Sequence, residues 1–131
     1  MDLNTLEPGH ALVDREIVIT SPMADAYISA VGDGNTLYAE EGLVPPMAVA
    51  ALVMAEAMDA VSLPAGTVHT GQELTFSRPV AMGATVRCSA TVAANSVRRG
   101  TRFLTLDLRG ALDGEAAVEG RTALAIPEAD G

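Results

Sequence analysis

The spacing of apolar residues changes at Gly66 from a helical period to a period of two. Before Gly66, the pattern predicts a short strand over 15–20, a helix over 22–31 and a second helix over 46–61. The first half of this second helix carries no polar side chain, so we expect it to be buried on every side.

After Gly66, apolar and polar residues alternate over four segments, which predicts four strands with one dry face and one wet face. Leu104, Leu106 and Leu108, for example, alternate with polar residues. Turns are predicted at 79–83 and 95–100, and Asp113-Gly114 is typical of a tight hairpin. The dry face of an antiparallel sheet needs a partner, and the apolar helix is the element of the right size. The pattern therefore predicts an α+β fold in which a sheet wraps one apolar helix.

The length of 131 residues fits one domain over 1–131, with loose ends over 1–9 and 127–131. Apolar residues make up 49% of the chain, which suffices for a core. The net charge is −9 and all eight basic residues are Arg. This charge argues against binding to nucleic acids or to anionic membranes. It serves solubility or forms an acidic docking surface.

Cysteine and histidine are too few for a disulfide or a zinc signature, so no metal is expected. Cys88 lies in an alternating strand pattern, which favours a buried structural thiol over a nucleophile. The first residues lack the features of a signal peptide, and the apolar run 43–55 is too short to cross a bilayer. A cytoplasmic protein is the expectation.

Four segments, in this order and spacing, resemble the MaoC-like hydratases and dehydratases of the hot-dog fold. Residues 25–38 resemble the hydratase motif of that family, 44–47 the start of its central helix, 68–80 its next strand and 82–83 the tight turn that follows. The resemblance runs from about 6 to 126. Within the family, 44–47 and 68–80 are most similar to the fatty-acid-synthase-type N-terminal subfamily.

The resemblance implies a substrate, a reaction and an assembly. Members of the family add water to enoyl thioesters, or remove it from (3R)-hydroxyacyl thioesters, of coenzyme A or acyl carrier protein. No cofactor is implied beyond the carrier that the substrate brings. The domains pair edge to edge as double hot-dog dimers. A backbone N–H at the start of the central helix polarises the thioester carbonyl, which implies substrate binding near Pro46, Met47 and Ala48.

The hydratase motif supplies an Asp, an Asn and a His, and the resemblance places Asp33 and Asn35 at the first two positions. Tyr38 occupies the position of the His. A phenol, with a pKa of about 10, is a poor general base compared with an imidazole. Asp33 and Asn35 are otherwise turn residues, and Tyr38 is otherwise a residue that lines the acyl pocket or packs structurally. His69 is a further candidate for proton transfer, or a histidine bonded to backbone at the edge of the sheet.

Arg98, Arg99 and Arg102 cluster around a predicted hairpin. They are candidates to contact a phosphate of coenzyme A or of the phosphopantetheine of a carrier protein, unless they form a solvated turn.

The departure at Tyr38 favours an acyl-binding, non-catalytic half of a heteromeric enzyme, whose catalytic Asp/His pair lies on another hot-dog chain. A self-sufficient hydratase or hot-dog thioesterase would instead use Asp33 with Tyr38 or His69. A third hypothesis is a non-catalytic protein that binds acyl-CoA. The partners expected are thus an acyl thioester and a second hot-dog chain, identical or different.

Overall fold

The computed structural model describes residues 3–20, 22, 42–44, 46–61 and 63–128. A 3-10 helix at Leu3–Thr5 precedes the regular elements. The elements in chain order are β1 (Ala11–Val18), β2 (Leu43–Val44), α1 (Pro46–Ala60), β3 (Val68–Phe76), β4 (Val80–Ala81), β5 (Thr85–Arg98), β6 (Thr101–Leu112) and β7 (Glu115–Pro127).

Five of the strands form one antiparallel sheet in the order β1-β5-β6-β7-β3, and β2 pairs with β4 in a separate small sheet. Within the described residues, β1 is therefore one edge of the large sheet and β3 is the other. Both tight hairpins turn through left-handed residues: Arg99 and Gly100 join β5 to β6, and Asp113 and Gly114 join β6 to β7. Positive φ at both central residues is the geometry of a type I′ turn, which suits the twist of antiparallel strands.

Helix α1 packs on the inner face of the large sheet and closes the core. Its buried residues are Val49, Ala50, Val53 and Ala57. The sheet contributes alternate residues of β5, β6 and β7, among them the fully buried Leu104, Leu106, Leu124 and Ile126. The predicted α+β architecture, an apolar helix against an antiparallel sheet, is confirmed.

The prediction that the first half of the helix is buried on every side is wrong. Met47, Ala51 and Ala55, spaced four residues apart, form an exposed stripe on the side of α1 away from the sheet. Met47 alone is 49% exposed. Residues four apart share one face of a helix, and a single sheet covers only the opposite face.

Two predicted boundaries differ from the structure. The first strand begins at Ala11 and ends at Val18, rather than spanning 15–20. Asn95, expected in a turn, lies inside β5 opposite Leu104, and its side-chain amide donates hydrogen bonds to the carbonyls of Leu3 and Leu6. Long-range partners of this kind hold Asn in a strand against its turn preference. The helix predicted over 22–31 lies outside the described residues, except for residue 22.

The described parts of both chain ends contact the sheet. Leu6 is buried, and the backbone N–H of Gly9 donates to the carbonyl of Val92. At the other end, Pro127 belongs to β7 and Glu128 forms an ion pair with Arg102. Burial of Leu6 and the ion pair of the buried Arg102 hold these described segments against the sheet.

Candidate active site

The start of helix α1 is the best-defined candidate for binding a thioester. Pro46 occupies the first helical position, where its missing N–H costs nothing, and the next residues have backbone N–H groups without partners in the helix. The positive end of the helix dipole adds to these donors. Met47 is exposed and Ala48 is half-buried, so this end of the helix is accessible to a ligand.

A small apolar cavity of about 10 Å³ adjoins the start of the helix. Its lining includes Val44, Pro46, Val49, Phe76 and Val118. A second cavity of about 10 Å³ lies between α1 and β7. Each has room for about one water molecule. In the described part of the chain, the interface between helix and sheet is thus packed, and the stripe of α1 is an exposed apolar surface beside the start of the helix.

His69 lies near the beginning of β3, at the opposite end of that strand from Phe76. It pairs with the buried Leu124, so its side chain is on the inner, helix-bearing side of the sheet, and it is exposed. At about 3.3 Å per residue, His69 and Phe76 are separated by about 20 Å along the strand. His69 is therefore remote from the start of α1 in its own chain.

The predicted arginine cluster separates into an exposed pair and a buried residue. Arg98 and Arg99 are exposed at the tip of the β5–β6 hairpin. The other arginines contact an acidic side chain or, in Arg109, the carbonyl of Gly114. Among the described residues, Arg98 and Arg99 have no ion-pair partner. Arg99 also adopts a φ of 52°, in the left-handed region that non-glycine residues rarely occupy.

Arg102, expected to contact a phosphate, instead lies inside the protein. Its side chain is 4% exposed and forms an ion pair with Glu128. Its guanidinium also donates to the side-chain oxygens of Asn95, at 2.7 Å, and of Asn4. Alternation explains this placement: Arg102 is on the same face of β6 as the buried Leu104. Its partners fix the ends of the chain and leave no exposed guanidinium for a ligand.

The structure does not bring the hairpin tip and the start of α1 together within one chain. Val118, beside the start of the helix, pairs with Gly110 on β6, whereas Thr101 begins β6 at the hairpin. Gly110 and Thr101 lie about 30 Å apart along the strand. The motif residues Asp33, Asn35 and Tyr38 lie outside the described residues.

Cys88 is fully buried on the inner face of β5, in agreement with a structural thiol. Burial, and secondly the charge of Glu56, raise the pKa of its thiol to about 11. The described residues contain no group of His, Cys, Asp and Glu side chains able to hold a metal ion. None of the helices in the same residues has the length and apolarity required to cross a membrane.

Sequence reasoning did not identify Phe76 or Glu56 as residues of a site. Phe76 is 42% exposed and lines the cavity at the start of the helix. Glu56 forms an ion pair with Arg15 across the core edge. The alternation of Leu74 and Phe76 with polar residues was a signal that Phe76 faces the helix side of the sheet. No sequence pattern links Glu56 to Arg15.

A helix packed on an antiparallel sheet of order β1-β5-β6-β7-β3 is the architecture expected of a hot-dog fold. No protein-family model matches the chain, and no curated protein of similar sequence is found. Solved structures do match. An (R)-hydratase from A. caviae involved in PHA biosynthesis is 25% identical, with a TM-score of 0.75 over 94% of this chain and 98% of that one.

Two further structures show the same fold at lower identity. A MaoC-like dehydratase from Rhodospirillum rubrum is 15% identical, with a TM-score of 0.75 over 100% of this chain and 99% of that one. The C-terminally truncated HadBC complex from Mycobacterium tuberculosis, a 3R-hydroxyacyl-ACP dehydratase, is 18% identical, with a TM-score of 0.71 over 95% and 98%. The chain therefore has the hot-dog fold of the MaoC-like hydratases and dehydratases, and the resemblance seen in the sequence is confirmed.

Proposed function

We propose that this chain is the substrate-binding half of a MaoC-like hydratase or dehydratase that acts on acyl thioesters and is built from two hot-dog chains. The catalytic Asp/His pair then lies on the other chain, since Tyr38 replaces the motif histidine here. The solved relatives include an (R)-hydratase and a heteromeric hydroxyacyl-ACP dehydratase, which supports both the reaction class and the two-chain assembly.

The observation that carries this proposal is the edge of the sheet at β3, which pairs with no further strand among the described residues. Nearly every residue of β3 is exposed, including Val68 at 56% and Phe76 at 42%. Unpaired backbone groups and exposed apolar side chains at a sheet edge favour pairing with a strand of another chain. In the proposed assembly, β3 pairs antiparallel with the equivalent edge strand of a second hot-dog chain. The sheet then continues across both chains.

Antiparallel pairing reverses the direction of the strand, and this places residues of this chain near the site of its partner. The beginning of β3, with His69, then lies beside the end of the partner's equivalent strand, where the partner's helix begins. The hairpin tip with Arg98 and Arg99 lies at the same end of the assembly. His69 is thus in position to hydrogen-bond the thioester end of a substrate on the partner's helix, and the two arginines to bind its phosphates.

The reciprocal contribution is acyl binding on the helix of this chain. The N–H groups that follow Pro46, at Met47 and Ala48, polarise the thioester carbonyl, and the stripe of Met47, Ala51 and Ala55 receives the acyl tail. No cofactor is proposed apart from the coenzyme A or phosphopantetheine of the substrate.

Binding of crotonyl-CoA tests this proposal without a need for turnover. We expect crotonyl-CoA to raise the midpoint of thermal unfolding, because a ligand that binds the folded state stabilises it. Ala51→Glu should abolish the rise, whereas Thr85→Glu, which adds the same charge at an exposed strand position, should not. No rise with the unaltered chain, or an equal loss in both variants, contradicts the proposed site.

A second candidate is a self-sufficient enzyme built from two identical chains, and the placement of His69 favours it. Such an enzyme would use His69 of one chain together with Asp33 of the other. His69→Ala and Asp33→Asn chains, each at least about a hundredfold less active, should then recover about a quarter of the wild-type rate after mixing. If the wild-type chain is active but the mixture of the two variants recovers no activity, a site shared between chains is excluded.

A further inference from the structure

The two edges of the large sheet differ sharply in charge. On β3, Glu73 is the one charged residue between Val68 and Phe76. On β1, three consecutive charged residues, Asp14, Arg15 and Glu16, occupy the middle of the strand and present charge on both faces. The β1 edge is therefore the more charged of the two.

Arg15 is the unusual member of the three because it points to the apolar side of the sheet. It pairs with Cys88, which is fully buried, and its neighbours on the same face, Val13 and Ile17, are half-buried apolar residues. The guanidinium of Arg15 therefore lies among apolar side chains at the edge of the core. Inward-pointing charges on an edge strand are a known means of preventing edge-to-edge aggregation.

Helix α1 holds Arg15 in this place. The Oε2 of Glu56 lies 3.5 Å from the Nε of Arg15, and the side chain of Glu56 is only 16% exposed. Helix α1 has two acidic residues, of which Asp59 is exposed and Glu56 is half-buried. A strand added outside β1 would bury the Arg15–Glu56 ion pair further. Removal of two charges from water is costly, so such pairing is disfavoured.

The outer face of β1 adds a second barrier. Asp14 accepts two hydrogen bonds from Arg87, at 2.7 and 3.1 Å, and Glu16 lies 3.9 Å from the same guanidinium. The hydrogen bond from Arg87 lowers the pKa of Asp14. A neighbouring strand would have to accommodate these side chains as well.

We propose that the Arg15–Glu56 pair blocks strand addition at β1, so that the chain presents β3 as its pairing edge and its assembly closes at two hot-dog units. This inference rests on the proposed function only in taking β3 as the edge that pairs. Without the block, β1 edges of separate pairs join and the sheet continues into larger assemblies, since a second open edge permits continued growth.

The test is the mass of an Arg15→Val/Glu56→Leu double variant by sedimentation or light scattering over a range of concentrations. This replacement removes one positive and one negative charge, so the net charge of the chain is unchanged. We expect the variant to fold, because apolar residues can replace an ion pair without loss of stability. We expect a weight-average mass about twice that of the wild type or more, which rises with concentration.

Two further variants make the outcome specific to the edge. Asp107→Leu/Arg121→Val removes an ion pair from the central strands β6 and β7, away from both edges, and should keep the wild-type mass. Addition of Val13→Lys to the β1 double variant restores an inward charge and should return the mass to that of the wild type.

An unchanged mass of the β1 double variant overturns the inference, as does an equal increase in the Asp107→Leu/Arg121→Val control. Neither result affects the proposed function, which is decided by crotonyl-CoA binding. Conversely, if the wild-type chain did not bind crotonyl-CoA, the comparison of mass between the wild type and the β1 double variant would still test the inference.

Discussion

At the scale of single residues, Arg102 shows how one buried charge organises distant parts of the chain. Its guanidinium contacts Asn4, Asn95 and Glu128, which belong to the first residues, to β5 and to the last described residue. Its Nε has no hydrogen-bond partner among the described residues. A charge buried with this network depends on Glu128 as its counter-ion.

Glu128→Gln should therefore lower the free energy of unfolding by about 2–3 kcal/mol, because it leaves the buried guanidinium without a counter-charge. The matched control is Glu115→Gln, which breaks the exposed ion pair with Arg78 and should change stability by less than about 1 kcal/mol. Urea denaturation measures both. Equal small effects would show that Arg102 does not depend on Glu128.

Cys88 should be unreactive in the folded protein, because only a thiolate attacks thiol reagents and burial raises the pKa of this thiol to about 11. We expect no labelling by a disulfide reagent at pH 8 and complete labelling after unfolding in urea. Rapid stoichiometric labelling of the native protein would contradict the position of Cys88 in the core.

The sequence predicts the burial of Cys88 because alternation assigns it to the dry face of a strand. It does not predict the fate of Arg102, since its partners are dispersed along the chain, and composition favours exposed arginine. The roles of Asp33 and Tyr38 remain sequence-based expectations, because both lie outside the described residues.

At the scale of elements, the contact between α1 and the sheet depends on Gly110 in β6. A Cβ atom at this position would lie 3.0 Å from Val118, 3.1 Å from Val53 of the helix and 3.3 Å from Val86. The absence of a side chain thus lets the helix approach the middle of the sheet.

Gly110→Ala should destabilise the protein by about 1–3 kcal/mol, the usual cost of overpacking a core. Gly71→Ala provides the control, because its Cβ would meet only Ala123 at 4.0 Å. Thermal unfolding of both variants distinguishes a local packing effect from a general effect of replacing glycine in a strand. A loss of stability in Gly71→Ala alone would contradict this view of the packing.

Element positions follow from hydrophobic periodicity wherever one face of an element is buried. Helix α1, the strands β6 and β7 and the first part of β5 therefore lie where the sequence predicts, whereas β5 continues through the turn predicted at 95–100. The pattern fails for the exposed stripe of α1, where apolar Ala51 and Ala55 face away from the sheet, because composition alone does not show which side of an apolar helix the sheet covers.

At the scale of the whole molecule, assembly through the open β3 edge is the expected basis of function. Val68→Lys places a charge on this edge and should shift the protein towards single hot-dog units. Val18→Lys is the matched control on β1, since Val18 is 51% exposed and Val68 56% exposed. Light scattering compares the masses of the two variants. Dissociation by Val18→Lys but not by Val68→Lys would contradict an interface at β3 and assign it to β1.

Turnover of crotonyl-CoA by the purified chain, followed by the loss of enoyl-thioester absorbance, tests the central claim most directly. A substrate-binding half should bind crotonyl-CoA but hydrate it negligibly alone, and hydration should begin when a hot-dog chain with an intact Asp/His pair is added. Strong turnover by the purified chain without a partner would contradict the claim.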